Sequence, residues 1–231
     1  MHPIVKEFIN TSNGINHIVE KLGNKEQFLE RVFIDLVQVM NNEKVDSQLF
    51  IDLDQAIRKG HPDTSLYLLF ISFAIPFTSN RGQLERAKAI SSIGFSLSED
   101  NTHPILKSYF IVSNANLALL ESNHVECDRL LKEAVANIDK NQPRYITILI
   151  SIALIISTQG RLKELGKEDF ELIDSQKDEY RIFIFLRLKL DNCVFTGNFK
   201  EGFELINAFK NKFKGDREYT IQQFLDLFKI L

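Results

Sequence analysis

The sequence predicts an all-α fold, built as a stack of antiparallel helical hairpins. Three observations carry this expectation. Long apolar segments recur at helical spacing, Pro and Gly punctuate them at regular intervals, and no Asn-Gly or Asp-Gly pair sits between alternating strands. Asn13-Gly14 falls between two helical patterns. Between eleven and twelve helices are expected.

The first 60 residues follow the rhythm least clearly, with helices near Pro3–Leu22, Lys25–Met40 and Asp46–Lys59. They are expected to form an N-terminal helical cap over residues 1–60, because a stack of repeats needs an atypical end. Beyond them, Pro62, Pro104 and Pro143 each precede a long apolar segment, 42 and 39 residues apart. Each is expected in a first helical turn, where no N–H is needed. Breaks at Gly82, Ser122, Gly160 and Gly197 follow one another at intervals of 40, 38 and 37 residues. A fixed period of this size marks an internal repeat.

Each repeat reads as a helix, a tight turn and a second helix, giving four units over residues 61–214. In the second unit, Ile105, Leu106, Tyr109, Phe110, Val112, Leu117, Leu119 and Leu120 make one broad helical face. Its partner helix, about Val125–Ile138, sets Leu130, Leu131, Ala134, Val135 and Ile138 against Glu126, Asp128, Lys132 and Glu133. An apolar first helix lies between neighbours, and an amphipathic second helix faces solvent on one side. Residues 215–231 form a last helix, with Asp216 as N-cap and a stripe of Ile221, Phe224, Leu225, Phe228 and Leu231. Gln222, Gln223, Asp226 and Lys229 give it a polar face, so it is expected to cap the stack in a monomer. Leu227 and Ile230 lie off the stripe and keep a dimer through residues 217–231 as the alternative.

Composition excludes several classes. The 231 residues (26.7 kDa) are 44% hydrophobic and 26% charged, ordinary for a chain with a sizeable core. Lys and Arg number 28 and Asp and Glu 31, evenly spread, so a nucleic-acid partner is not expected. The longest apolar runs, Leu66–Phe77 and Tyr145–Ile156, are too short to span a bilayer. The N-terminus MHPIVKEFIN lacks the pattern of a secretion signal, so Asn10-Thr11-Ser12 reads as a chance sequon. Cys127 and Cys193 form neither a disulfide framework nor a zinc spacing, and a cytoplasmic location is expected.

Nothing in the sequence assembles a catalytic, cofactor or metal site. His2, His17, His61, His103 and His124 stand far apart, and three of them precede Pro, as residues ahead of a helix start. His124 and Cys127 could pair as base and nucleophile, but Cys127 takes a helix-packing position and is expected to be a buried thiol. Leu165-Gly166-Lys167 lacks the upstream Gly of a phosphate loop, and Asp52-Leu53-Asp54 lacks the Gly and closing Glu of a calcium loop. The 19 Phe are expected in the core, with some available to line a groove.

The turns and second helices resemble the tetratricopeptide repeat. Thr196-Gly197-Asn198-Phe199-Lys200-Glu201-Gly202 matches its turn, with Gly202 in the small-residue slot. Gly82 with Ala87 and Gly94, and Ser122 with Cys127 and Ala134, repeat the pattern. Leu165 fills a slot that should be small, Pro76 falls within a first helix, and the usual Trp is missing. The resemblance covers about residues 63–213 and implies a right-handed superhelical stack with a concave face lined by first helices. Inward positions then fall on Ser72 in the first unit, Tyr109, Ser113 and Asn116 in the second, Thr147 and Ser151 in the third, and Arg187 and Asp191 in the fourth.

By that resemblance the chain is a protein-interaction module or adaptor, non-enzymatic and without cofactor, that binds a peptide or helix of a partner protein. Asn116 would bond a peptide backbone, Tyr109 would pack on a side chain and Arg187 would take a carboxylate. The carboxylate-clamp subfamily needs several Lys, Arg and Asn together, and only Asn116 and Arg187 qualify. The alternative is a peptide-responsive regulatory protein of the helical-repeat type, although residues 1–60 show no basic recognition helix. An α-helical hydrolase is a third possibility, and it would require acid, base and nucleophile to converge in space.

Overall fold

A computed structural model describes residues 1–40, 47–98, 102–174, 179–209, 213 and 216–230, with backbone alone at 174, 179–181, 216–219 and 230. Among these residues there are thirteen α-helices and no strand. They are α1 (Pro3–Asn10), α2 (Ile15–Leu22), α3 (Phe28–Met40), α4 (Ser47–Lys59), α5 (Thr64–Ser79), α6 (Leu84–Leu97) and α7 (Pro104–Leu120). After them come α8 (His124–Ala136), α9 (Tyr145–Ser157), α10 (Lys167–Asp174), α11 (Glu179–Thr196), α12 (Phe199–Phe209) and α13 (Asp216–Ile230), with a 3-10 turn at Leu162–Glu164. The pattern expected as one helix over Pro3–Leu22 is two, because the chain leaves helical geometry at Thr11 and resumes after Gly14. Asp46, expected to open the next helix but one, lies outside the described residues.

The chain divides into two compact units, Met1–Ile148 and Leu149–Leu231, and the boundary falls inside α9. In the first unit α5 pairs with α6, α7 pairs with α8, and α5 lies against α7, while α1 and α3 also pack on α5. Helices α5 and α7 are buried on nearly all sides, as their uninterrupted apolar composition requires. Rings of Phe8, Phe33, Phe70, Phe73 and Tyr109 meet edge-to-face, tilted or stacked across α1, α3, α5 and α7. Arg144 joins the two ends of this unit: its Nε–H donates to the Phe8 carbonyl at 2.6 Å and its guanidinium lies 4.1 Å from the Phe8 ring centre.

Pro76 does not interrupt α5, which continues to Ser79. A proline nitrogen has no hydrogen to give to the carbonyl four residues back, here that of Ser72. The Ser113 hydroxyl of α7 donates to that carbonyl at 2.6 Å, so the vacancy becomes a bond between helices. Two further buried bonds tie neighbouring helices, Ser91 of α6 to the Asn114 side chain of α7 and Ser108 of α7 to the Ala134 carbonyl of α8 at 2.9 Å. Ala87, Cys127 and Ala134 are fully buried, and a Cβ on Gly94 would run into the Phe110 ring. The small positions therefore admit close neighbours, and Cys127 is a buried thiol in no disulfide.

The breaks at Gly82, Ser122, Gly160 and Gly197 share one backbone conformation. All four residues have positive φ, 75°, 61°, 67° and 70° in turn. In each, the residue's N–H reaches the carbonyl three back, and the next N–H reaches the carbonyl five back from itself, as in Asn123 to Ala118 at 2.8 Å and Arg161 to Ile156 at 3.0 Å. This is the Schellman arrangement, which closes a helix and turns the chain for another. Pro3 and Pro104 stand at the first helical positions, but Pro62 precedes the Asp63 cap of α5 and Pro143 lies in the turn before α9.

In the second unit, the Gly160 turn leads into the short Leu162–Glu164 turn and then the eight-residue α10, where a full second helix was expected. Leu165 takes an extended conformation that stops the first segment. Helices α11, α12 and α13 enclose a core of Phe183, Leu186, Leu190, Cys193, Ile206, Phe213, Ile221 and Phe228. Burial pushes the Cys193 thiol up to about 11, so it stays protonated. Phe228 lies over Gly202 and beside Phe199 and Phe203, so the stripe of α13 packs on α12. Gly215 and Leu231 lie outside the described residues, as do the side chains of Asp216 and Ile230.

Candidate functional site

The residues expected to line a concave wall divide between interior and surface. Ser72 and Ser113, 3% and 8% exposed, are consumed in the contact between α5 and α7, each also bonding the carbonyl four residues back in its own helix. Both hydroxyls are bonded to backbone carbonyls. Tyr109 is half-buried, its ring 4.8 Å from Phe8 and 6.2 Å from Phe73. Asn116 donates to the Asn80 side chain at 3.1 Å, joining the last turns of α7 and α5. Thr147 and Ser151 are half-buried on α9. Arg187 is exposed and pairs with Asp191, one helical turn on, at 3.8 Å, while burial raises the Asp191 carboxyl against the pull of that guanidinium. Tyr109, Asn116 and Thr147 belong to the first unit, and Ser151, Arg187 and Asp191 to the second.

A cleft in the second unit offers a different candidate. It encloses about 650 Å³ and is formed by the Leu162–Glu164 turn, α10, α11 and the start of α12. Leu162, Leu165 and Phe170 give it an apolar floor, and Phe170 meets Phe185 edge-to-face at 5.1 Å. Three lysines surround that floor, Lys163, Lys167 and Lys189. The Lys189 ammonium rests 4.2 Å from the Phe185 ring centre and 5.5 Å from that of Phe170. Such a placement sets a cation over apolar surface.

Two carboxylates also line the cleft, and both are engaged. Glu171 lies 3.8 Å from Lys167, and Glu201 accepts from the Asn198 side chain at 2.6 Å. Asn192 accepts the Leu162 N–H at 3.2 Å and so fixes the 3-10 turn against α11. The local balance is cationic around an apolar centre, the complement of a segment with carboxylates flanking a bulky side chain.

The cleft lies beside α11, where the Leu162–Glu164 turn ends at the extended Leu165 and α10 starts only at Lys167. Leu165 stands out in the sequence as a large residue where the resemblance implies a small one. Lys163, Lys167, Phe170 and Lys189 carried no motif of their own, since three lysines spread over 27 positions converge only once α11 folds back.

Among the described residues no group of His, Cys, Asp and Glu could hold a metal ion, and no helix is long and apolar enough to cross a membrane. No protein-family model, curated protein or solved structure matches the chain.

Proposed function

We propose that this chain is a protein-interaction module of the helical-hairpin type, an adaptor whose second unit takes a peptide segment of a partner protein. The observation that carries the reading is the cleft of about 650 Å³ with an apolar floor and three lysines around it. Its occupant is an acidic segment with one bulky apolar side chain: that side chain enters between Leu162, Leu165 and Phe170, and its carboxylates meet Lys163, Lys167 and Lys189. The recurring turn and the paired helices of the first unit support the tetratricopeptide-like part of the reading. Two buried cysteines outside any disulfide suit a reducing compartment, where an adaptor of this kind would work.

Selection of a random-peptide phage library on the full-length chain tests this. Enriched sequences should carry Asp or Glu on both sides of an aromatic or large aliphatic residue. The double variant Lys163→Glu, Lys167→Glu should bind them at least tenfold more weakly, with its unfolding midpoint nearly unchanged because both side chains are exposed. Enriched peptides without acidic residues, or equal binding by the variant, would overturn the assignment.

A further inference from the structure

Three of the five histidines stand immediately before Pro, and in all three Nδ1 lies within reach of the N–H two residues on, that of His61 lying also 3.4 Å from the Asp63 carbonyl. Nδ1 of His2 accepts the Ile4 N–H at 3.3 Å, Nδ1 of His103 accepts the Ile105 N–H at 3.3 Å, and Nδ1 of His61 accepts the Asp63 N–H at 3.1 Å. His2 and His103 are thereby the N-caps of α1 and α7, each followed by Pro-Ile. His61 fixes Asp63, whose carboxylate accepts the Leu66 N–H and caps α5. An imidazole that accepts at Nδ1 carries its single proton on Nε2. At His2 that proton faces the Glu30 carboxylate at 3.1 Å.

The three capped helices are neighbours that start at one end of one layer. Helix α1 packs on α5 and α5 on α7, and the His2 and His61 rings lie 6.4 Å apart. Helices α5 and α7 run parallel, since Phe73 meets Tyr109 and Asn80 meets Asn116 further along in the same order. One edge of the first unit is therefore held by imidazole nitrogens that accept backbone N–H groups.

We propose that these His-Pro caps make that edge an acid-sensitive latch. A protonated imidazole bears hydrogen on both nitrogens and cannot accept an N–H, so each protonation removes a cap or the bond that sets one. It also places a cation at a helix N-terminus, where the peptide dipoles already present positive charge. Among the described residues, the groups facing these rings are Glu30 and His61 at His2, and His2 at His61. None lies within ion-pairing distance of His103. At His2 the second ring nitrogen is bonded to the Glu30 carboxylate, and among the described residues no carboxylate is so placed at His103.

The sign follows from binding linkage. Burial lowers the His103 imidazole below its ordinary value, so the folded chain binds that proton less tightly than the unfolded chain. Its contribution is present above the ordinary histidine range and is lost as pH falls through the lowered value. The edge should hold at pH 7.5 and loosen as pH falls to 5.5, ahead of the titration of ordinary carboxylates.

The test compares the wild-type chain with the triple variant His2→Asn, His61→Asn, His103→Asn, because Asn caps a helix equally well and does not titrate. Urea unfolding at pH 7.5 and 5.5 should show the wild-type folded-to-unfolded ratio falling about fivefold or more, and the variant's by less than twofold. Histidine nitrogen shifts of the wild-type chain at pH 7.5 should show bare Nδ1 and protonated Nε2 at His2, His61 and His103, and this reading stands even if the triple variant does not fold. Equal pH dependence in the two chains, or protons on Nδ1 at pH 7.5, would overturn the latch.

Discussion

In the first unit the helices are tied by buried hydrogen bonds, Ser113 to the Ser72 carbonyl, Ser91 to Asn114 and Ser108 to the Ala134 carbonyl. In the second they meet through rings, Phe183 against Phe213 and Phe228 over Gly202. A buried hydrogen bond is directional, and a slip of one residue along a helix leaves both partners unsatisfied. Ring contacts tolerate small shifts at little cost. The same turn thus joins helices that directional bonds hold in register in one unit and ring contacts hold together in the other. The cleft belongs to the second.

The largest break in this comparison comes from removing residues 217–231. Phe228 then no longer covers Gly202, and Ile206 with its neighbours Phe203 and Phe209 becomes exposed. The truncated chain should aggregate in light scattering, because the second unit has few other means of covering α12. A soluble truncated monomer, with a full-length dimer, would make α13 an association element.

Ser113→Ala tests the lock in the first unit. It leaves the Ser72 carbonyl buried with neither the Pro76 nitrogen nor a hydroxyl to serve it, and should cost about 1–3 kcal/mol in chemical unfolding. Asn116→Ala, which removes only an exposed bond to Asn80, should stay within about 0.5 kcal/mol. If the two variants unfold alike, the buried bond is not what fixes the register of α5 against α7.

A smaller effect tests whether the turns are equivalent. Ser122 holds φ of 61° with a side chain present, so Ser122→Gly should stabilise by about 0.5–1 kcal/mol. Gly197 has φ of 70° and open space where a Cβ would sit, so Gly197→Ala isolates backbone strain and should cost about 1 kcal/mol. Opposite signs at the two sites would show one turn serving both units.

How much of this was legible in the sequence depends on the range of the interaction concerned. The four turns were, because a residue of positive φ between two apolar helices leaves a local mark, and Ser122 was found by spacing although it is not Gly. The burial of Cys127 followed from its slot. A hydroxyl inside an apolar helix reads as facing a groove, but the Ser113 hydroxyl bonds the Ser72 carbonyl that Pro76 leaves open, and the Ser72 hydroxyl turns back to the Leu68 carbonyl of its own helix. Reading Pro76 together with the serine four residues before it would have suggested a donor from outside the helix. The lysine cleft was not legible, since its members come from separate segments and are common surface residues taken one by one. The His-Pro pairs were seen as residues before helix starts, but which ring nitrogen accepts could come only from geometry.

Hydrogen exchange of the full-length chain, with and without an acidic peptide selected on it, tests the division of roles most directly. Protection should rise over residues 162–171 and 189–201, which form the cleft, and stay unchanged along α5 and α7, where the slowest amides of the free chain should lie. Protection gained along α5 and α7, around Tyr109 and Asn116, would place binding on the concave wall of first helices and contradict the assignment of the site to the second unit.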